Sequence, residues 1–185
     1  EKEKMLSGQT YYARDPELIN LHKDCRKLLK ELNSITSDNV KRRLSILDNL
    51  LEKIDDGVWI ESPFYCDYGT NISIGKNTFI NFNCVFIDNN KIEIGSNVLI
   101  GPGVHFYTPT HPLKHNERIK HNGEYVTTAL PIKVGDNVWI GGNSSICQGV
   151  TIGSNSTIGA GSLVLNDIPN NVLAYGNPCK VIKKL

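Results

Sequence analysis

Residues 134–164 read VGDNVW, IGGNSS, ICQGVT, IGSNST and IGAGSL before a closing valine, so a large apolar residue returns at every sixth position: Val134, Ile140, Ile146, Ile152, Ile158 and Val164. An α-helix repeats every 3.6 residues and a plain strand every two, so neither produces this period. Upstream, Ile74, Ile80 and Phe86 keep the same spacing, and so do Ile94, Ile100 and Phe106. Glycine follows directly at seven of these twelve anchors (Gly75, Gly95, Gly101, Gly135, Gly141, Gly153 and Gly159), where its 16 occurrences in 185 residues would supply one by chance. Four residues after an anchor, small or β-branched residues recur, among them Thr78, Cys84, Val98, Val138, Ser144, Val150, Ser156 and Ser162.

Six residues make one short strand and one corner, and three such units close a triangular coil. The anchors point inward, glycine and asparagine take corners where positive φ is cheap, and stacked coils pair backbone with backbone. The pattern predicts a mainly β protein, a parallel β-solenoid. The period alone leaves the handedness of the coil open. The register breaks twice. Two extra residues enter around Asp88-Asn89-Asn90, and between Phe106 and Val134 a protruding loop, residues 107–131, leaves the coil. That loop carries Thr108-Pro109-Thr110-His111-Pro112, then His115, Arg118, His121 and Gly123. A loop of this length in a compact repeat is more often functional than idle.

The first 56 residues are different in kind. They hold 22 of the 39 charged residues, but one of the 16 glycines and four of the 20 asparagines. Asp15-Pro16-Glu17 offers an N-cap, a proline at the first helical position and an acid for the helix dipole. Leu18, Leu21, Cys25, Leu28, Leu29 and Leu32 then form one apolar stripe, with Asn33-Ser34 as a stop. A second helix is expected from Ser37-Asp38, with Val40, Leu44, Leu47 and Leu51 on one face. Residues 1–56 thus read as a helical segment packed on a solenoid domain of residues 57–185.

Composition narrows the functional classes. Hydrophobic residues make up 39 % and charged residues 21 %, enough to bury a core, and the net charge of +1 lacks the footprint of a general nucleic-acid binder. No apolar run is long enough to span a membrane, and no secretory signal is visible at the N-terminus. The five cysteines (Cys25, Cys66, Cys84, Cys147 and Cys179) are odd in number and widely spaced. They fit a reducing cytosol better than a disulfide framework or a zinc site.

The hexads, the Thr-His-Pro loop (110–112), Asn-Val-Trp-Ile-Gly-Gly (137–142), Gly-Asn-Pro-Cys-Lys-Val-Ile (176–182) and the Glu-Lys-Glu-Lys-Met-Leu-Ser-Gly start together resemble the maltose/galactoside O-acetyltransferases over essentially the whole chain. The resemblance implies a left-handed parallel β-helix assembled as a homotrimer, with acetyl-CoA bound between neighbouring coils at subunit boundaries; the helix pair read from the first 56 residues argues for the same group, and the cysteine pattern for a cytoplasmic protein. Transfer of acetyl to a sugar hydroxyl needs a base to take the hydroxyl proton, and a histidine, whose usual pKa is about 6.5, suits that task. Among the five histidines His111 alone is bracketed by X-Pro bonds, which restrict its backbone, and it matches the family's catalytic position.

The resemblance further implies that Asn81 stabilises the transition state and that Asp15, Asp67 and Asn89 bind the acceptor. From local sequence Asp15 also reads as a helix cap, Asn81 as a corner asparagine with positive φ, and Asp88 as the alternative to Asn89. For acetyl-CoA the family positions fall on Gly142, Ala160, Leu165, Asn166, Lys180 and Lys183. Leu165-Asn166 replaces a Thr-Lys pair of relatives, and the two lysines stand where arginine is common, giving point charges without a bidentate fork. No metal is expected. His105, His111, His115 and His121 lack the coil-to-coil spacing of a β-helix metal site, and Cys84 and Cys147 read as packing residues rather than acyl carriers. Acetylation of an antibiotic or an amino sugar, and a non-catalytic trimeric scaffold, stand as the rival readings.

Overall fold

All residues 1–185 are described by the structure, a computed structural model. The twelve apolar anchors are at most 4 % exposed and fill the interior of a prism with three parallel faces. The first face stacks Lys53–Ile54, Ile72–Ile74, Ile92–Ile94, Ile132–Val134 and Thr151–Ile152. The second stacks Trp59–Ile60, Phe79–Ile80, Leu99–Ile100, Trp139–Ile140, Thr157–Ile158 and Val172–Gly176, and the third Phe64–Cys66, Cys84–Ile87, His105–Tyr107, Ser145–Cys147 and Leu163–Val164. Anchors pair in register from coil to coil, as in Ile74 with Ile94 and Ile140 with Ile158. Aromatic anchors stack along the third face, with Phe86 and Phe106 ring centroids 4.4 Å apart. The solenoid starts one coil earlier than the run counted from Ile74: Ile60 and Cys66 occupy anchor positions at 1 % exposure.

Glycine and asparagine divide the corners by physical need. Three residues after an anchor the backbone has positive φ, held by Asn77, Asn83, Asn97, Asn137, Asn143 and Asn155 and by Gly103, Gly149 and Gly161. Directly after an anchor, glycine serves close approach instead. A Cβ on Gly141 would lie 2.4 Å from the Ala160 nitrogen on the next coil. The expectation that Asn81 takes the positive-φ corner is corrected here: Asn83 does, at φ 59°, while Asn81 stands in the position directly after its anchor. Along one edge the corner asparagines form a row in which each Nδ2 donates to the next Oδ1, from Asn77 through Asn97, Asn137 and Asn155 to Asn171, at 3.4, 3.1, 3.0 and 3.0 Å.

Helix α1 spans Lys2–Leu6, α2 Pro16–Ser34 and α3 Val40–Leu50. The sequence pattern finds α2 with its cap: the Asp15 carboxylate accepts from Glu17 N at 3.0 Å. Helix α3 begins at Val40 rather than at Ser37-Asp38, and α1 has no counterpart in the periodicity reading because five residues give too short a pattern. Cys25, Leu29 and Leu32 of α2, with Ile46, Leu47 and Leu50 of α3, join the same core as the anchors, so the helices seal one end of the prism. Burying each such leucine contributes about 1.5–3 kcal/mol.

Sealing also means satisfying the first coil's edge, whose polar groups have no coil beneath them. Arg43, 3 % exposed, donates to the Ile60 carbonyl at 2.6 Å and to Ser62 Oγ at 3.1 Å. Asn33 imitates a paired strand, its Oδ1 accepting from Phe64 N and its Nδ2 donating to Phe64 O, both at 2.9 Å. The protruding loop is rooted by Pro109–Thr110 pairing antiparallel with Thr128–Ala129. Asn90 ties that root to α1, donating to the carbonyls of Met5, Leu6 and Ala129 at 3.2, 3.1 and 2.8 Å.

Candidate active site

The corner between the third and first faces departs from six-residue spacing on three successive coils: from Cys66 to Ile74, from Phe86 to Ile94 and from Phe106 to Val134. These interruptions bring Asp67, the Asp88–Asn90 segment and the loop bearing His111 to one edge of the prism. Sequence reasoning found two of the three. The first was hidden because the count started one coil late.

His111 follows the strand Pro109–Thr110, and its Nδ1 lies 2.8 Å from the Val126 carbonyl. A carbonyl only accepts, so Nδ1 donates and the Nε2 lone pair of the neutral ring is left free. Arg118 secures this arrangement twice. Its guanidinium donates to the carbonyls of Pro112 and Leu113 at 2.9 and 2.7 Å, and its own carbonyl accepts from Val126 N at 2.8 Å. The sequence shows Arg118 only as one more loop cation. Thr127, next to Val126, bridges to Tyr11, which joins the N-terminal segment to the same edge.

The three residues expected to meet the acceptor differ in availability. Asp67 sits 3.3 Å from Arg26 Nη2 and 3.9 Å from His22 Nε2. Burial raises its pKa, with the His22 and Arg26 charges pulling the other way. Asn89 is buried, its Nδ2 donating to the Tyr11 hydroxyl at 3.0 Å while its Oδ1 has no partner. Burial lifts the Tyr11 phenol to about 12, against the Asn89 hydrogen bond. Asp15 uses its side chain as the helix cap. Asp88, the alternative to Asn89, is fully buried and its carboxylate is engaged by backbone amides, which removes it as a direct contact.

A separate groove of about 540 Å³ lies at the corner between the second and third faces. Asn81, Gly142 and Ala160 line it together, with Trp139 and Leu173 as apolar walls. The Asn81 Oδ1 accepts from Phe82 N at 2.8 Å, which turns its Nδ2 into an uncommitted donor. Lys183 pairs in register with Leu173 on the added antiparallel strand Cys179–Lys184, and Lys180 with Tyr175. Leu165 and Asn166 are exposed and lie outside the groove lining. Neither His111 nor Asp67 nor Asn89 reaches it. Burial pushes the Cys84 thiol up to about 11 and raises that of Cys147, the opposite of nucleophile activation.

Comparison with known proteins gives this geometry a family. Residues 4–55 match the maltose acetyltransferase hexapeptide capping motif, and residues 131–166 match six repeats of the bacterial transferase hexapeptide. A galactoside O-acetyltransferase of Escherichia coli is 42 % identical over 86 % of this chain and 77 % of its own length. The chain belongs to the maltose/galactoside O-acetyltransferase family. A maltose O-acetyltransferase from Clostridium difficile superimposes with a TM-score of 0.93 at 46 % identity, over 100 % of this chain and 97 % of that one. A hexapeptide-repeat acetyltransferase of Vibrio cholerae complexed with acetyl-CoA gives 0.91 at 37 % identity, over 99 % and 97 %. Membership makes the chain an acyltransferase and its solenoid a left-handed parallel β-helix, an exception to the right-handed rule for crossover connections.

Proposed function

We propose that the protein moves the acetyl group of acetyl-CoA to a hydroxyl of a maltose-, glucose- or galactoside-like sugar by direct attack, with His111 as general base. One observation carries the reading: two polar side chains are each tied to backbone at one end and free at the other, with opposite character. His111 keeps Nε2 as an acceptor, and Asn81 keeps Nδ2 as a donor.

In the reaction, Nε2 takes the hydroxyl proton as the sugar oxygen bonds to the thioester carbon. The carbonyl oxygen becomes an oxyanion that the Asn81 amide stabilises. Collapse breaks the C–S bond, and the imidazolium returns the proton to the departing thiolate. The groove suits the donor, since Gly142 and Ala160 admit a narrow extended arm. On the strand next to its Leu173 wall, Lys183 and Lys180 offer charge to the phosphates. Asp67 and Asn89 face the acceptor with a carboxylate and an unpartnered amide oxygen, which suits a polyhydroxylated ring. No helix is long and apolar enough to cross a membrane, in keeping with a cytoplasmic enzyme that works on small soluble substrates.

His111 and Asn81 occupy different corners of one chain, so a site using both is formed between neighbouring copies in a homotrimer. The second face supports this, since Leu99 and Trp139 stand 52 % and 56 % exposed on it. The test is thiol release from acetyl-CoA across a panel of sugars, with mixing of two inactive variants, His111→Ala and Asn81→Ala. Hybrid trimers should regain activity because an intact boundary takes one residue from each. Failure of every sugar sinks the acceptor assignment, and failure of mixing sinks the shared site.

A further inference from the structure

Asp88 is a buried carboxylate to which direct transfer assigns no step, yet it is fully engaged. Its Oδ1 accepts from the backbone N–H of Asp67 at 2.9 Å and of Tyr68 at 2.8 Å, and its Oδ2 from that of Asn71 at 3.4 Å. The Asn71 Nδ2 closes the clamp by donating to the Asp88 carbonyl at 2.7 Å. Asp88 is 0 % and Asn71 2 % exposed, so nothing from solvent can substitute for these contacts. The clamp reaches from the widened corner of one coil to the widened corner of the coil before it. That earlier corner, residues 67–71, contains no strand and would otherwise have free amides at its start.

We infer that Asp88 is the positioning residue of the acceptor pocket: it fixes the 67–71 turn and so aims the Asp67 carboxylate at the sugar, setting acceptor affinity without touching the acceptor. This rests on the reading of Asp67 as an acceptor contact. An anion is the natural clamp for several converging N–H groups, because charge-assisted hydrogen bonds are shorter and stronger than neutral ones. The same turn delivers Tyr68 into the small core formed with Met5, Tyr11, Leu18 and Ala129, so its orientation is shared with the N-terminal segment and the root of the catalytic loop. Burial raises the Asp88 carboxyl to about 7 against the pull of these hydrogen bonds, so its position is costly as well as satisfied.

Asp88→Asn is the informative change. It keeps the shape and one acceptor oxygen, but sets an NH₂ group against the Asn71 N–H. A double-mutant cycle with Asp67→Asn, read as steady-state kinetics for sugar and acetyl-CoA, tests the inference. Asp88→Asn should raise the acceptor KM roughly tenfold while the acetyl-CoA KM stays within about twofold. In the Asp67→Asn background the same change should add less than about twofold, since the carboxylate it aims is gone. Additive effects, or equal effects on both substrates, overturn the positioning role. If Asp67→Asn alone leaves the acceptor KM unchanged, the acceptor reading of Asp67 has failed instead. Should Asp88→Asn not fold, Asn71→Ala loosens the clamp from its other jaw and is read by the same criteria.

Discussion

The two candidate functional corners of the prism are built from one repeat and have become opposites. At the corner between the second and third faces the six-residue spacing runs unbroken from Ile60 to Val164, and on three coils glycine follows the anchor directly: Gly101, Gly141, Gly159. The result is a shallow channel suited to a long, thin molecule. At the corner between the third and first faces the spacing is interrupted on three coils, and the added residues supply Asp67, Asp88, Asn89 and His111. Regularity leaves an open surface to lie along, and irregularity gathers carboxylate, amide and imidazole side chains at one edge. The interrupted corner also needs bracing that the regular one gets from its strands, which is why Asp88, Asn90 and Arg118 spend their polar atoms on backbone groups.

That contrast can be broken from either side. Removing the proposed base at the interrupted corner should have the largest effect: His111→Ala is expected to lose about 10²–10⁴ in kcat and remain folded, checked by thiol release and circular dichroism. Next comes the brace. Arg118→Ala removes the guanidinium bonds to the Pro112 and Leu113 carbonyls next to His111 while leaving the main-chain bond to Val126, and should lower kcat by about 10- to 100-fold with little change in either KM, because a misplacement near 1 Å can cost that much. Added guanidinium should restore part of the loss. Crowding the regular corner should instead act on the donor: Ala160→Leu is expected to raise the acetyl-CoA KM roughly tenfold while the acceptor KM holds. An equal rise in both would mean that the two corners do not divide the substrates.

The smallest effect is thermodynamic. Burial raises the Asp88 carboxyl from its ordinary value of 3.8 to about 7 in the folded chain. The folded state therefore binds a proton that the unfolded state has already lost, and this group's contribution is full below the unfolded value and lost as pH rises through about 7. The melting temperature of the wild type relative to Asp88→Asn should rise by a few degrees as pH falls from about 8 to about 5. A flat difference would remove the buried ionisation.

Much of this architecture is visible in the sequence because burial enforces it. An anchor inside a narrow prism must be large and apolar, so Ile74 through Val164 announce themselves. The Asp15 cap is equally legible, since its chemistry is local. What escapes is whatever depends on contacts between coils. Asn81 and Asn83 are two residues apart with the same side chain, and only their place relative to the anchor separates a groove donor from a positive-φ corner. The first coil is faint because Cys66 is a small anchor and Ile54 only half-buried. Asp88 and Arg118 carry no signal of their own, because their partners are main-chain groups that any sequence possesses.

The row of corner asparagines has a bearing on how long such a molecule can be. Every amide in it points the same way, so it has a giving end and a receiving end, and Gly57 precedes it without a side chain to contribute. Deleting or duplicating one complete circuit would bring a giver back against a receiver and heal the row, whereas any fraction of a circuit would leave a mismatch. Length in this architecture is therefore counted in whole turns, and descendants of the chain can lengthen or shorten only by that quantum.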